Sequence, residues 1–244
     1  MHETATHSPV SDALVGFATA SLTNAAAPAL AAAQRALEQA RAATRGALAS
    51  EAQIAAPQGA QPSPQDARTR AWAYGAALVR ASAPSVATPV LAAVLAFGER
   101  GGASDDVLAT AAAIGIEAAQ RVLTALDDDA YRARWNVASS IGVLGATLAI
   151  TRLLALDAVC TRNALGVAAT QAAGLARNAN GAMEALETGK AAADAIEAAL
   201  LAKHGFTSAP ASIDGRRGLA ALMAYRFDAA AIIDELGTRW ISVT

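Results

Sequence analysis

The sequence predicts an all-α fold, a multi-helix domain built from closely packed helices. Three observations predict it. Hydrophobic residues make up 54% of the 244 positions and aromatic residues only 4%, so a core must be mostly Ala, Leu, Val and Ile. Alanine carries the best intrinsic helix propensity and lets helices approach closely. Charged residues recur at helical spacing, as Arg35, Glu38, Arg41 and Arg45 do. Only one short piece, "RWISVT" at the C-terminal end, reads as a strand. A chain of this length can bury a substantial core.

The elements follow in order. Residues 1–8 read as a loose tail, with His2 and His7 solvated in it. Ser8-Pro9 is a start signal, a Ser N-cap with Pro at the first helical position, for a helix to about Leu22. Pro28 opens the next helix. The stretch 51–66, "EAQIAAPQGAQPSPQD", has no periodicity and reads as an exposed connection. Helices resume at "ARTRAWAYGAALVRA", break at "SAPS", and continue to Gly101-Gly102. Ser104 is the expected cap of a helix to about Leu126, and "DDDAYRARWN" reads as a polar connection. Ser139 or Ser140 is expected to cap a helix to Ala155, and Asp157 another to about Gly174. A loop then leads to a helix over 188–204 that buries Ala192, Ile196 and Leu200, with Gly174, Gly181 and Gly189 letting the chain turn tightly against neighbouring helices. A last amphipathic stretch runs through "GLAALMAYRFDAAAIIDELG". The domain is thus expected to span 9–240.

Several function classes fall away. A net charge of -2 offers no basic face for nucleic acid. The single Cys160 allows no intrachain disulfide and fits a reducing, cytoplasmic setting. The N-terminus lacks the basic and apolar regions of a signal peptide, and the most apolar run, "IGVLGATLAI", is short of the ~20 residues that span a bilayer. No phosphate loop, paired metal-ligand motif or nucleophile elbow occurs, so neither a metal nor a cofactor is expected. His204, at the end of a helix, reads as a residue facing the C-terminal carbonyls.

From Gly115 to Leu236 the chain resembles the MmgE/PrpD family, which includes 2-methylcitrate dehydratases and cis-aconitate decarboxylases. "GIEAAQRV" is similar to the family's G-Y-E-V-A-x-R-V. "RWNVASSIGVLGATLAITRLLALD" resembles its G-F/W-H-x-T-x-T-x-G-x-x-G-A-A-x-A-A-A-x-L-L-G-L-D. "NALGVAATQAAGL", "GAMEALETGKAA" and "LLAKHGFTSAP" answer three further motifs in the same order. The resemblance implies an all-helical N-terminal domain, a smaller α/β domain after it, a homodimer, and an active site in the cleft between the domains. On that scheme residues 241–244 would begin the second domain, which is expected to be absent from this chain.

Departures from the family pattern fall at its chemistry. The Asp-Asp-Thr-His stretch has no counterpart, and Ala83 precedes Pro84 where the family has histidine. Asn136 replaces histidine, Ala138 threonine and Arg134 glycine. The family lysine is lost near Glu184 and Ala185, Glu187 replaces a histidine, and Gly189 and Lys190 survive. The resemblance implies di- or tricarboxylate substrates, whose elimination or decarboxylation needs a proton shuttle and cations. A Glu187 carboxylate about 5 Å from a substrate carboxylate would repel it by roughly 3 kcal/mol at an effective dielectric of 20.

Two readings of the same positions follow. In one, Asn136, Glu187 and Lys190 are catalytic remnants and Ser139, Ser140, Arg177, Asn178 and Asn180 line a remodelled pocket, with Glu187 as base of a lyase or isomerase on a small carboxylic acid. A second chain would then supply the missing domain. In the other, Ser139 and Ser140 are caps, Asn178 and Asn180 turn residues, and Glu187 with Lys190 an exposed pair at i, i+3 worth under about 1 kcal/mol. Glu187→Gln would then be nearly silent and Gly181→Val costly. The expected function is that of a degenerate family member, a pseudoenzyme acting as a structural or partner subunit, dimeric, and independent of nucleic acid and membrane.

Overall fold

A computed structural model describes residues 8–55 and 66–243. Among them the architecture is helical throughout: α1 (Pro9–Thr19), α2 (Ala27–Ala43), the single turns α3 (Ala47–Ser50) and α4 (Ala52–Ala55), α5 (Ala67–Ala81), α6 (Ala87–Val94), α7 (Asp105–Leu126), α8 (Asp129–Arg132), α9 (Val137–Leu153), α10 (Ala158–Gln171), α11 (Ala182–Lys203), α12 (Leu219–Met223) and α13 (Ala229–Ile233). A π-helical segment, Leu95–Glu99, extends α6. No strand occurs among the described residues. β-type pairing there is limited to an isolated antiparallel bridge between Trp135 and Leu175.

Helix α9 is the axis of the core. Every residue from Ala138 to Thr151 is buried, and α7, α11, α6 and α10 pack around it. That is why "IGVLGATLAI" is apolar on all sides: it has no solvent face. Helix α5 lies along α11, and α2 and α13 cover α7. One helix, α7, is long and apolar enough to cross a membrane by length and composition, and 72% of its apolar window is buried inside the fold.

Glycines bring two of these helix pairs close together. A Cβ on Gly145 of α9 would stand 2.2 Å from the carbonyl oxygen of Gly115 on α7. A Cβ on Gly189 of α11 would stand 2.3 Å from the carbonyl oxygen of Trp72 on α5. Neither helix pair could keep its separation with any side chain at these positions. Gly181 is different: its φ of -111° is ordinary, and the nearest atom to an added Cβ is 3.2 Å away. It closes the turn from Asn178, donating to that carbonyl at 3.1 Å, but in a backbone conformation open to any residue.

Buried charge organises the C-terminal part. Glu117 and Arg121 of α7 are 0% and 1% exposed and pair at 2.7 Å. Arg121 also donates to the carbonyls of Asp234 at 2.7 Å and Arg239 at 2.6 Å, and at longer range to those of Ala231, Ile232 and Glu235. Glu117 accepts from the backbone N–H groups of Ile241 (3.1 Å) and Ser242 (2.9 Å). The pair therefore satisfies the backbone of a segment that has no regular ladder of its own.

Several expectations are corrected. Ser8 belongs to no loose tail: it is buried, caps α1 by accepting from Ser11 N–H, and donates to Asp214. Residues 1–7 lie outside the described residues, as does 56–65 of the expected connection. Glu51, at the start of that connection, is buried and bidentate to Arg80 at 2.6 and 2.9 Å. The polar connection 127–136 contains α8, capped by Asp128. Helix α1 stops at Thr19, α11 begins at Ala182, and the last amphipathic stretch splits into α12 and α13. The described residues of "RWISVT", 239–243, form no strand. Trp240 packs on Phe17 with ring centroids 5.3 Å apart, and Ile241–Val243 form a 3-10 turn seated on the Glu117 carboxylate. Tertiary contact overrides the β-branched composition there.

Candidate functional site

The N-terminus of α9, the loop 172–181 and the first half of α11 meet around a cleft of about 290 Å³, lined by Trp135, Ser139, Gln171, Gly174, Glu187, Lys190 and Asp194 among others. The loop is tied to the α9 entry by two hydrogen bonds flanking the Trp135–Leu175 bridge. Asn136 N–H donates to Gly174 O at 3.1 Å, and Ala176 N–H to Arg134 O at 3.0 Å. Gly174 is needed for this: its φ of +129° is left-handed, and a Cβ would fall 2.0 Å from Ser139 Oγ.

Asn136, not Ser139 or Ser140, is the N-cap of α9; its Oδ1 accepts from Ser139 N–H at 3.3 Å. Both serines lie in the first helical turn and donate back to the Asn136 carbonyl, Ser140 at 2.6 Å. Ser139 faces the cleft. Ser140 faces the core, where its hydroxyl meets Tyr131 Oη at 2.8 Å. Burial pushes the Tyr131 phenol up to about 12, with the Ser140 hydrogen bond acting in the opposite direction.

The structure brings Asn136, Asn178 and Glu187 together. The half-buried Glu187 carboxylate accepts from Asn136 Nδ2 at 3.2 Å, from Leu175 N–H at 3.2 Å, and from Asn178 Nδ2. It is a knot joining α9, the loop and α11, and it is not paired with Lys190. Lys190 instead pairs with Asp194 at i, i+4. Asn180 shapes the turn, with φ +61° and its N–H donating to Glu184 at 2.8 Å. Arg177 is exposed outside the cleft lining. His204 caps the far end of α11 and takes no part. Among the described residues no three of His, Cys, Asp and Glu gather closely enough to hold a metal.

Two cleft residues escaped the sequence reading. Asp194 is 8% exposed, and burial pushes its carboxyl up while the Lys190 hydrogen bond pulls it down. Gln171 presents a buried Oε1 with no partner among the described residues. A signal for Asp194 existed: it stands four residues after Lys190, a spacing that puts the two on one helix face. A signal for Gln171 existed too: it is the glutamine of "NALGVAATQAAGL", one of the stretches that answer the family's motifs.

Two outcomes follow. Glu187→Gln is expected to cost about 1–2 kcal/mol, because an amide nitrogen would face at least one of the three donors that now point at a carboxylate. Urea unfolding of both proteins measures this, and identical midpoints would contradict it. For Asp194 the folded pKa is raised above the unfolded 3.8. Its contribution to stability is therefore full below that value and lost as the pH rises through the folded one. Asp194→Asn lacks this dependence, so the variant should be relatively more stable against wild type at pH 7 than at about pH 3.5. Parallel unfolding curves at the two pH values would refute the assignment.

A family model described as the MmgE/PrpD N-terminal domain matches residues 77–231. No curated protein matches the chain.

Proposed function

Since the chain belongs to the MmgE/PrpD family through its N-terminal helical domain, we propose that it keeps the family's scaffold without its dehydratase or decarboxylase chemistry and serves as a structural or partner subunit. One observation carries the reading: the candidate residues at the cleft are committed to bonds within the fold, with Gln171 Oε1 left as a buried acceptor that has no partner among the described residues. Glu187 holds three donors, Asn136 caps a helix, and Lys190 is paired with Asp194. A side chain that must break such bonds to meet a substrate loses much of what binding would return. Asn136 also cannot shuttle a proton near neutral pH.

Arg134, where the family pattern has glycine, supports the same reading. It donates to the carbonyls of Ala130 and Met223, both at 2.9 Å, and lies 4.4 Å from the centre of the Tyr225 ring. Its side chain is thus also committed to bonds within the fold. The purified protein is expected to show no turnover of 2-methylcitrate or cis-aconitate above a heat-inactivated control, followed by substrate loss and product formation. Turnover that Asn136→Ala abolishes would reverse the proposal.

One observation favours a second reading, a lyase or isomerase acting on a small carboxylic acid. Asp194, with its raised pKa, stands beside Lys190 in the cleft and could exchange protons. In that case activity on some small carboxylate would vanish in Asp194→Asn while the fold persisted.

A further inference from the structure

A second and larger cavity, of about 760 Å³, opens on the other side of Trp135, between the C-terminal end of α10, the loop 209–218 and α12. Its size falls within the range of small-organic-ligand sites, which are mostly apolar with a few placed polar groups. The apolar wall consists of Trp135, Pro210, Leu219, Leu222 and Met223, and at the rim stand Arg216 and Arg217. Leu222 is 72% exposed, a large aliphatic side chain left facing solvent at the cavity.

Neither arginine has a charge partner among the described residues. The neighbouring acid, Asp214, is taken by the Ser8 hydroxyl and by Val10 N–H at 3.3 Å, and no carboxylate among the described residues pairs with either guanidinium. The polar hydroxyls nearby are also engaged, Thr170 donating to Val167 O at 2.6 Å and Ser212 to Ala209 O at 2.6 Å. Cationic donors are therefore the free polar groups this cavity offers. The loop that displays them is wound tightly: Gly218 N–H donates to Gly215 O at 2.7 Å, Leu219 N–H to Ser212 O at 2.8 Å, and Ala220 N–H to Ile213 O at 3.0 Å. A Cβ on Gly215 would stand 2.4 Å from Ala211 O. A turn held this way lowers the ordering cost of binding.

We propose that this cavity binds a medium-chain carboxylate, its head on Arg216 and Arg217 and its alkyl chain along Trp135, Leu219, Leu222 and Met223. Paired guanidinium groups suit a carboxylate by charge-assisted, fork-shaped hydrogen bonding, and the aliphatic wall suits methylenes. The site is separate from the Asn136–Glu187 cleft and does not depend on whether that cleft is active.

Calorimetric titration of the full chain with octanoate, octyltrimethylammonium and inorganic phosphate tests it. Octanoate is expected to bind saturably at one site, while the cation of equal chain length and phosphate give no comparable binding. The double variant Arg216→Gln, Arg217→Gln should weaken octanoate about tenfold or more, the loss expected when charged hydrogen bonds are removed. Because both side chains are exposed, its melting temperature should be unchanged. Leu222→Asp, also at an exposed position, should weaken octanoate as well. Absence of octanoate binding, equal binding of the cation or of phosphate, or octanoate affinity unaffected by the double variant would each overturn the proposal.

Discussion

Arg121→Ala is expected to destabilise the protein by about 3–5 kcal/mol, the loss typical when one partner of a buried ion pair is removed. The guanidinium is 1% exposed and bonded to Glu117 and to carbonyls between Ala231 and Arg239. Its removal strands a buried carboxylate and several buried carbonyls together. The double replacement Glu117→Leu, Arg121→Met sharpens the test. A simple buried pair can often be exchanged for apolar residues at no cost. Here the exchange would also orphan the N–H groups of Ile241 and Ser242, so the double variant should remain destabilised. Guanidinium unfolding measures both, and a double variant as stable as wild type would show that the backbone contacts add nothing.

Gly145→Ala is expected to destabilise by about 2 kcal/mol or more, against the direction of helix propensity. Alanine in a helix interior is favoured over glycine by about 1 kcal/mol. The added Cβ, however, would lie 2.2 Å from Gly115 O and 2.7 Å from the Ala119 Cβ. Backbone on one side and a stub on the other cannot swing away, so α7 and α9 must separate along a fully buried seam, and overpacking typically costs about 1–3 kcal/mol, more where nothing can give, which here outweighs the propensity gain. Gly181→Ala is the control: exposed at a helix N-cap, it should change stability by under about 1 kcal/mol. A thermal melt placing the two variants together would refute the account.

What the sequence disclosed was what local chemistry decides. Ser8-Pro9 and Asp157 act as caps where they were expected to, because a cap bonds within three residues of itself. The α9 cap was misplaced because "NVASS" offers three capable side chains, and the choice fell to Asn136, whose backbone is also tied to Gly174. In the cleft, the candidates Asn136, Asn178 and Glu187 were found, but their arrangement was not. Glu187 looked like a helical surface pair with Lys190, and only the folding of the loop against α9 shows that its partners come from 9, 12 and 51 positions away. Glu117 and Arg121 have the spacing of an ordinary surface pair too. Their burial depends on a segment more than 100 residues later, which no window along the chain contains.

That separation has a consequence in time. A chain made at about 5–20 residues per second completes α7 roughly ten seconds before the carbonyls and N–H groups that Arg121 and Glu117 will hold have been synthesised. In that interval the acid and the base can satisfy only each other and water, so the face of α7 later covered by α13 must stay hydrated on the ribosome. Docking of the last turns then expels that water in one late step, and the newborn helical bundle passes through a wet form before its final dry one.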